Sequence, residues 1–128
     1  MTQEEKQLLL KDLCGRLPYG VKCRASYSKF PTTLVDVNAD AKVGDDFFIV
    51  TVKLEKTELN SPSLIEDIRP YLRPMSSMTE EEEDELNSAR MGNYGEDVDW
   101  LNAHHFDYRG LIPMGLALES LPGMYNLA

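Results

Sequence analysis

Phe47-Phe48-Ile49-Val50-Thr51-Val52-Lys53-Leu54 is the strongest strand signal in this chain, and the reading of the fold turns on it. Its first four residues are apolar on whichever side they point, and from Thr51 onward polar and apolar residues alternate. A short run of aromatic and β-branched residues patterned this way is a strand covered on both faces at one end and on one face at the other. The stretch therefore predicts a central strand with one end emerging.

Working back toward the N-terminus, residues 21–27 alternate, with Val21, Cys23, Ala25 and Tyr27 on one side and Lys22, Arg24 and Ser26 on the other. A period of two marks a half-buried strand. Residues 33–37 are rich in β-branched types and form another strand candidate. Asn38-Ala39-Asp40 and Gly44-Asp45-Asp46 read as turns. Ahead of these, residues 2–14 read as a helix: Thr2 and Glu5 have the spacing of a capping box, Glu4 and Glu5 put negative charge in the first turn, and Gly15 is a natural stop. Leu9, Leu10, Leu13, Cys14 and Leu17 recur at three and four and supply its apolar stripe. Leu17-Pro18-Tyr19-Gly20 then turns the chain.

Downstream, Asn60-Ser61-Pro62-Ser63 reads as a loop, with Ser63 capping a single helical turn over 64–68. Pro70 and Pro74 rule out a long helix, because proline lacks the amide hydrogen and clashes with the preceding turn. Residues 69–77 thus read as an extended connector, with Tyr71, Leu72 and Met75 packing down. Thr79 and Glu82 form a second capping box, which opens a helix over 80–90. Another short helix follows over 97–105, with Val98, Leu101 and His105 on one face and Trp100 and His104 on the next. Residues 114–118 fit strand or helix equally, and Pro122-Gly123 turns into the tail Met124-Tyr125-Asn126-Leu127. Short links between strands favour antiparallel pairing. The expectation is an α+β fold: a small antiparallel sheet of about three strands with an N-terminal helix and C-terminal helices packed on it, in a single domain over residues 1–128.

Composition narrows the function. With 42% apolar and 27% charged residues the chain is patterned for folding, not for disorder. Its net charge of −9 repels nucleic-acid phosphates and anionic membrane surfaces. Lys22, Arg24 and Lys29 come nearest to a basic cluster and read as a solvated strand face. Cys14 and Cys23 complete no zinc or redox motif and, among apolar neighbours, read as two small core residues. The first residues are acidic where a signal peptide is basic, and no stretch approaches the ~20 apolar residues that span a bilayer. The expected setting is cytoplasmic, with neither nucleic acid nor membrane as a direct partner.

The glycines never fall into a phosphate-binding loop, a dinucleotide fingerprint or a nucleophile elbow. His104 and His105 are adjacent, so on a helix they point about 100° apart and cannot make the i, i+4 pair of a zinc helix. A metal site with Asp97, Asp99 or Asp107 competes with a plainer arrangement, in which one histidine packs beside Trp100 and the other caps the last helical turn. The acidic run over 80–85 is a solvent-facing helix N-terminus or a negative patch for a basic partner. Residues 100–109 gather Trp, two His, Phe, Tyr and Arg. Trp, Tyr and Arg dominate binding hot spots; the same types close a small core while their polar tips find partners.

Three blocks carry a resemblance: Leu17-Pro18-Tyr19-Gly20-Val21; residues 69–82, Arg-Pro-Tyr-Leu-Arg-Pro-Met-Ser-Ser-Met-Thr-Glu-Glu-Glu; and residues 99–112, Asp-Trp-Leu-Asn-Ala-His-His-Phe-Asp-Tyr-Arg-Gly-Leu-Ile. They resemble a family of small proteins encoded by gut Bacteroidales and their prophages or other mobile elements. The resemblance implies a mobile-element accessory protein in the bacterial cytoplasm. It implies no activity and carries over no catalytic residue.

Together these features make a non-enzymatic accessory or adaptor protein that binds another protein the leading expectation. Tyr71, Arg73, Trp100, His104, Tyr108 and Arg109 are its candidate contact residues, with no cofactor and no metal required. Two alternatives stand beside it: an acidic inhibitor that mimics DNA through residues 80–85, and a small metal-assisted enzyme built on His104, His105 and Asp107.

Overall fold

The computed structural model of the protein describes residues 2–26, 30–41, 48–55, 63–92 and 95–125. Tyr27, Lys29, the Gly44-Asp45-Asp46 turn, Phe47, the loop residues 60–62 and Asn126-Leu127, all read above from sequence, lie outside the described residues. The chain divides into two compact units, Met1–Pro70 and Tyr71–Ala128.

The first unit opens on α1 (Gln3–Arg16). Its capping box forms as the sequence predicts: Glu5 N donates to Thr2 Oγ1 at 3.1 Å, and Thr2 N donates to Glu5 Oε1 at 2.9 Å. The helix runs through Gly15 and passes into a 3-10 turn at Leu17–Tyr19, and the left-handed residue that ends the segment is Gly20, at φ 69°. The buried face is Leu9, Asp12, Leu13 and Arg16. That corrects the stripe drawn from sequence, because Leu10 and Leu17 are half-buried and Cys14 is exposed. The cause is an ion pair inside the core. Arg16 Nε donates to Asp12 Oδ2 at 2.8 Å, and both side chains are fully buried. A buried pair that compensates its own charge looks like polar surface in a hydropathy pattern.

Five strands follow within or into this unit: β1 (Lys22–Ala25), β2 (Thr32–Ala41), β3 (Phe48–Leu54), β4 (Ser63–Leu64) and β5 (Ile68–Leu72). Their order is β4-β3-β2-β1-β5, with each neighbouring pair antiparallel. The expected three strands are therefore too few. β4 replaces part of the predicted loop and β5 part of the predicted connector, while the helical turn between them forms as a 3-10 turn at Ile65–Asp67. β2 also runs through Asn38-Ala39-Asp40, which sequence read as a turn, because these residues pair with Thr51, Val50 and Ile49 of β3. Ladder pairing overrides a local turn preference. A register shift between Leu34 and Asp36 leaves Val35 and Asp36 both exposed, as a bulge does.

The predicted alternation holds where it is described. Val21, Cys23 and Ala25 are buried while Arg24 and Ser26 are exposed, and Val52 and Leu54 are buried on either side of exposed Lys53. β3 is central, between β2 and β4. α1 lies against β2 and the Ile65–Asp67 turn.

In the second unit Tyr71 and Leu72 of β5 pair in parallel with Leu118 and Glu119 of β6 (Leu118–Glu119), which makes the strand pairing mixed. Tyr71 and Leu72 are buried as expected, whereas Met75 is exposed at the start of a 3-10 turn, Met75–Ser77. α2 (Glu80–Arg90) begins and ends where sequence placed it, and α3 (Glu96–Ala103) stops two residues short of the expected end. The two helices pack on each other over Leu86, Leu101 and Phe106, joined by Met78, Trp100 and Tyr108.

α3 ends early because of a C-terminal cap. Phe106 N donates to Leu101 O at 3.0 Å and His105 N to Asn102 O at 3.1 Å, the two bonds of a Schellman motif. His105 occupies the left-handed position, at φ 63°, where glycine is usual. Phe106 and Leu101, the residues such a cap brings together, share the core cluster. The same two-bond pattern recurs as Leu116 N to Leu111 O (3.0 Å) and Gly115 N to Ile112 O (3.1 Å), so residues 111–115 are turn and the strand begins only at Leu118. Among the described residues no helix is long and apolar enough to cross a membrane.

Candidate functional site

Two of the three blocks that carry the sequence resemblance meet at Arg73. Its N donates to His105 O at 2.7 Å and its O accepts from Asp107 N at 2.8 Å, forming a single rung beside Phe106. The guanidinium carbon lies 4.2 Å from the Phe106 ring centroid, a cation–π contact. From there Nη1 donates to Glu82 Oε2 at 2.7 Å and Nη2 to Glu82 Oε1 at 2.8 Å. Glu82 is also the third residue of the α2 capping box, where its Oε1 accepts from Thr79 N at 3.0 Å. Arg73, and after it the Thr79 amide, hold the Glu82 carboxyl down at about 2 despite partial burial.

The aromatic segment closes the core around this pair. The Trp100 ring stacks on His104 with centroids 4.0 Å apart and on Phe106 at 5.7 Å. His104 Nδ1 lies 2.9 Å from the Trp100 carbonyl oxygen; a carbonyl only accepts, so that nitrogen carries the proton. Glu85 Oε2 accepts from Trp100 Nε1 at 3.3 Å and lies 3.8 Å from His104 Nε2. His104 thus both packs on Trp100 and caps α3, two tasks that sequence divided between the histidines. Tyr108 donates to Asn102 Oδ1 at 2.9 Å, and Arg109 covers the Tyr108 ring while donating to its hydroxyl at 2.9 Å.

Of the six candidate contact residues, Arg73 and His104 line one cavity together. It measures about 540 Å³ and lies among Arg73, Pro74, Ser77, Thr79, Glu81, Glu82, Glu85, His104 and the segment from Glu119 to Tyr125. Tyr71 is buried, and Trp100 and Tyr108 pack on the core, with Arg109 against Tyr108. A second cavity, about 390 Å³, is lined by Pro74, Met75, Ser76, Asp107, Gly110, Ile112, Pro113 and Glu119.

Sequence reasoning missed the far wall of the first cavity, the segment after β6. Tyr125 fastens it: the hydroxyl donates to Tyr71 O at 2.7 Å, and the ring stacks on His105 with centroids 3.8 Å apart. A single tyrosine beyond a Pro-Gly turn was the available signal, and periodicity cannot rank it.

Electrostatically the first cavity is acidic. Four glutamates line it against one arginine, and that arginine is consumed by Glu82. Glu81 and Glu119 make no ion pair with a described residue. The metal-assisted alternative fares differently. Among the described residues no group of three or more His, Cys, Asp or Glu could hold a metal ion. His104 and His105 stack on different rings, and Asp107 accepts from Leu111 N at 2.7 Å and Ile112 N at 3.0 Å, which spends both oxygens on a turn.

Comparison of the chain with protein-family models, with curated proteins and with solved structures finds no match.

Proposed function

We propose that the chain is an accessory module that binds another protein, and that it does so at the acidic cavity of the second unit. The observation that carries this reading is the cavity's division of labour. Arg73, Glu82 and the aromatic stack are engaged with one another and hold the walls. Glu81 and Glu119 are exposed and make no ion pair with a described residue, next to apolar Pro74, Leu121 and Pro122. A cleft with a few unspent charges and an apolar lining suits recognition of a protruding side chain. The bacterial cytoplasm and a mobile-element setting belong to this proposal through the sequence resemblance.

Affinity capture on the full chain, followed by cross-linking and mass spectrometry, tests it. One stoichiometric protein should cross-link to the second unit, and the Glu81→Gln/Glu85→Gln/Glu119→Gln variant should lose it. A partner retained by that variant would remove the cavity from the function.

A second reading draws on α2. Glu80, Glu81, Glu83, Asp84 and Glu85 are exposed, and Glu82 is half-buried in its pair with Arg73. Such a row suits an inhibitor that presents a phosphate-like face to a nucleic-acid-binding protein. Capture governed by that row would weaken steeply between low and moderate salt and would disappear on neutralising Glu80, Glu83 and Asp84, which lie outside the cavity lining.

A further inference from the structure

The two cavities of the second unit have Pro74 and Glu119 in common. Their remaining linings differ in kind. On one side stand Glu81 and Glu85, with Glu82 already neutralised by Arg73. On the other stand Met75, Ile112 and Pro113, and both oxygens of the acid there, Asp107, are taken by backbone amides. Glu119 is exposed at the junction.

From this shared wall we propose that the two cavities form one bipartite groove, occupied by an extended segment of a partner protein that places a lysine or arginine in the acidic cavity and a nearby apolar side chain in the other. The inference rests on the protein-binding reading above and gives it a partner chemistry. Charge complementarity argues for the cation: the acidic cavity offers carboxylates and no unspent positive group, so an anionic or neutral side chain would leave Glu81 and Glu119 without compensation. The shape argues for a peptide. An apolar cavity that adjoins an acidic one across the shared Pro74 and Glu119 rewards a chain carrying two unlike side chains close together. The open position of Met75 supports the apolar half, since a methionine on a surface adapts to differently shaped side chains.

The test uses a random twelve-residue peptide library displayed on phage and selected on the full chain, so it needs no natural partner. Enriched sequences should share a Lys or Arg with an Ile, Leu, Val, Met or Phe within three positions. A synthetic peptide of that consensus, titrated by calorimetry, should lose affinity roughly threefold on Glu119→Gln and roughly fivefold on Met75→Ala, as expected for an exposed charge pair and a partly buried apolar contact. Matched melting curves show that each variant folds. Exchanging the peptide's cation for glutamate should abolish binding. The proposal is overturned by a selection without a basic consensus, by a basic consensus without the apolar neighbour, or by a consensus peptide indifferent to both substitutions. If lysate capture depends on the acidic residues while the library shows no such consensus, the protein-binding reading survives and the bipartite groove does not.

Discussion

Arg73 and Glu82 are joined by two charge-assisted hydrogen bonds, 2.7 and 2.8 Å long, and each residue carries a second duty. Arg73 covers the Phe106 ring, and Glu82 completes the cap of α2. The pair therefore couples the helix start to the core of the second unit, and disturbing either residue reaches both. A bidentate guanidinium–carboxylate pair with both side chains largely covered is stronger than an exposed ion pair.

Glu82's carboxyl falls from an ordinary 4.5 to about 2 in the folded protein, chiefly because Arg73 donates to it. A depressed carboxyl contributes stability in full above its unfolded value and loses it as pH falls toward the folded one. Glu82→Gln should therefore cost on the order of 2 kcal/mol at neutral pH. The gap to the unaltered protein should narrow below about pH 4.5 and close near pH 2. Denaturant melts at pH 7, 4 and 3, followed by Trp100 fluorescence, measure it; a pH-independent gap would mean that the ion pair contributes little.

Thr79 offers a separate handle on the same helix end. Its hydroxyl accepts from Glu82 N at 3.2 Å while its amide donates to the Glu82 carboxylate. Thr79→Ala should lower stability by about 1 kcal/mol, the usual cost of losing a threonine cap. Glu82 would keep Arg73, so the acid sensitivity described above should persist in this variant. Nearly parallel pH profiles for Thr79→Ala and the unaltered protein are the expected result, because the Thr79 hydroxyl is the smallest of the influences that lower the Glu82 carboxyl.

The buried pair in α1 predicts a non-additive series. Asp12→Ala would leave Arg16 without its carboxylate in a fully buried site, at a cost of roughly 3–5 kcal/mol. Asp12→Leu combined with Arg16→Met removes both charges and keeps apolar volume, and it should recover most of that loss. A double-mutant cycle by urea melts reads the coupling. Additive losses would show that the two charges do not depend on each other.

The same pair explains how far the sequence could be read. Both capping boxes, the alternation in β1 and the span of α2 were legible because each depends on neighbours within four positions. The face of α1 was not, because Asp12 and Arg16 are apolar in effect only when paired inside the core. β5 was concealed by Pro70 and Pro74, which exclude helix without revealing a strand partner, and that partner, β1, lies more than forty residues upstream. The wall of the cavity depends on Tyr125 reaching the carbonyl of Tyr71, 54 positions away, a contact that no local pattern encodes. His105 was misplaced for a different reason: a cap position that sequence rules reserve for glycine is held by histidine, its ring stacked on that same tyrosine.

The two cysteines differ in their access to solvent. Sequence treated them alike, but Cys14 is exposed on α1 and Cys23 is buried in β1, and both are free. Burial pushes the Cys23 thiol up to about 12, and the negative charge of Asp12 adds to the effect. Only the thiolate reacts with a disulfide reagent, so at pH 8 Cys23 has almost none to offer even where the reagent could reach it. Cys14 is raised as well, by partial burial, yet it remains accessible. Native protein mixed with an aromatic disulfide reagent should release one equivalent of chromophore slowly, and a second only in denaturant. Cys14→Ser should release none until it unfolds. Adding Asp12→Ala to Cys14→Ser tests whether the Asp12–Arg16 pair keeps β1 closed: Cys23 should then react in the native buffer at a rate set by local opening. If Cys23 stays protected in that variant as firmly as in its parent, the buried ion pair does not hold this end of the sheet.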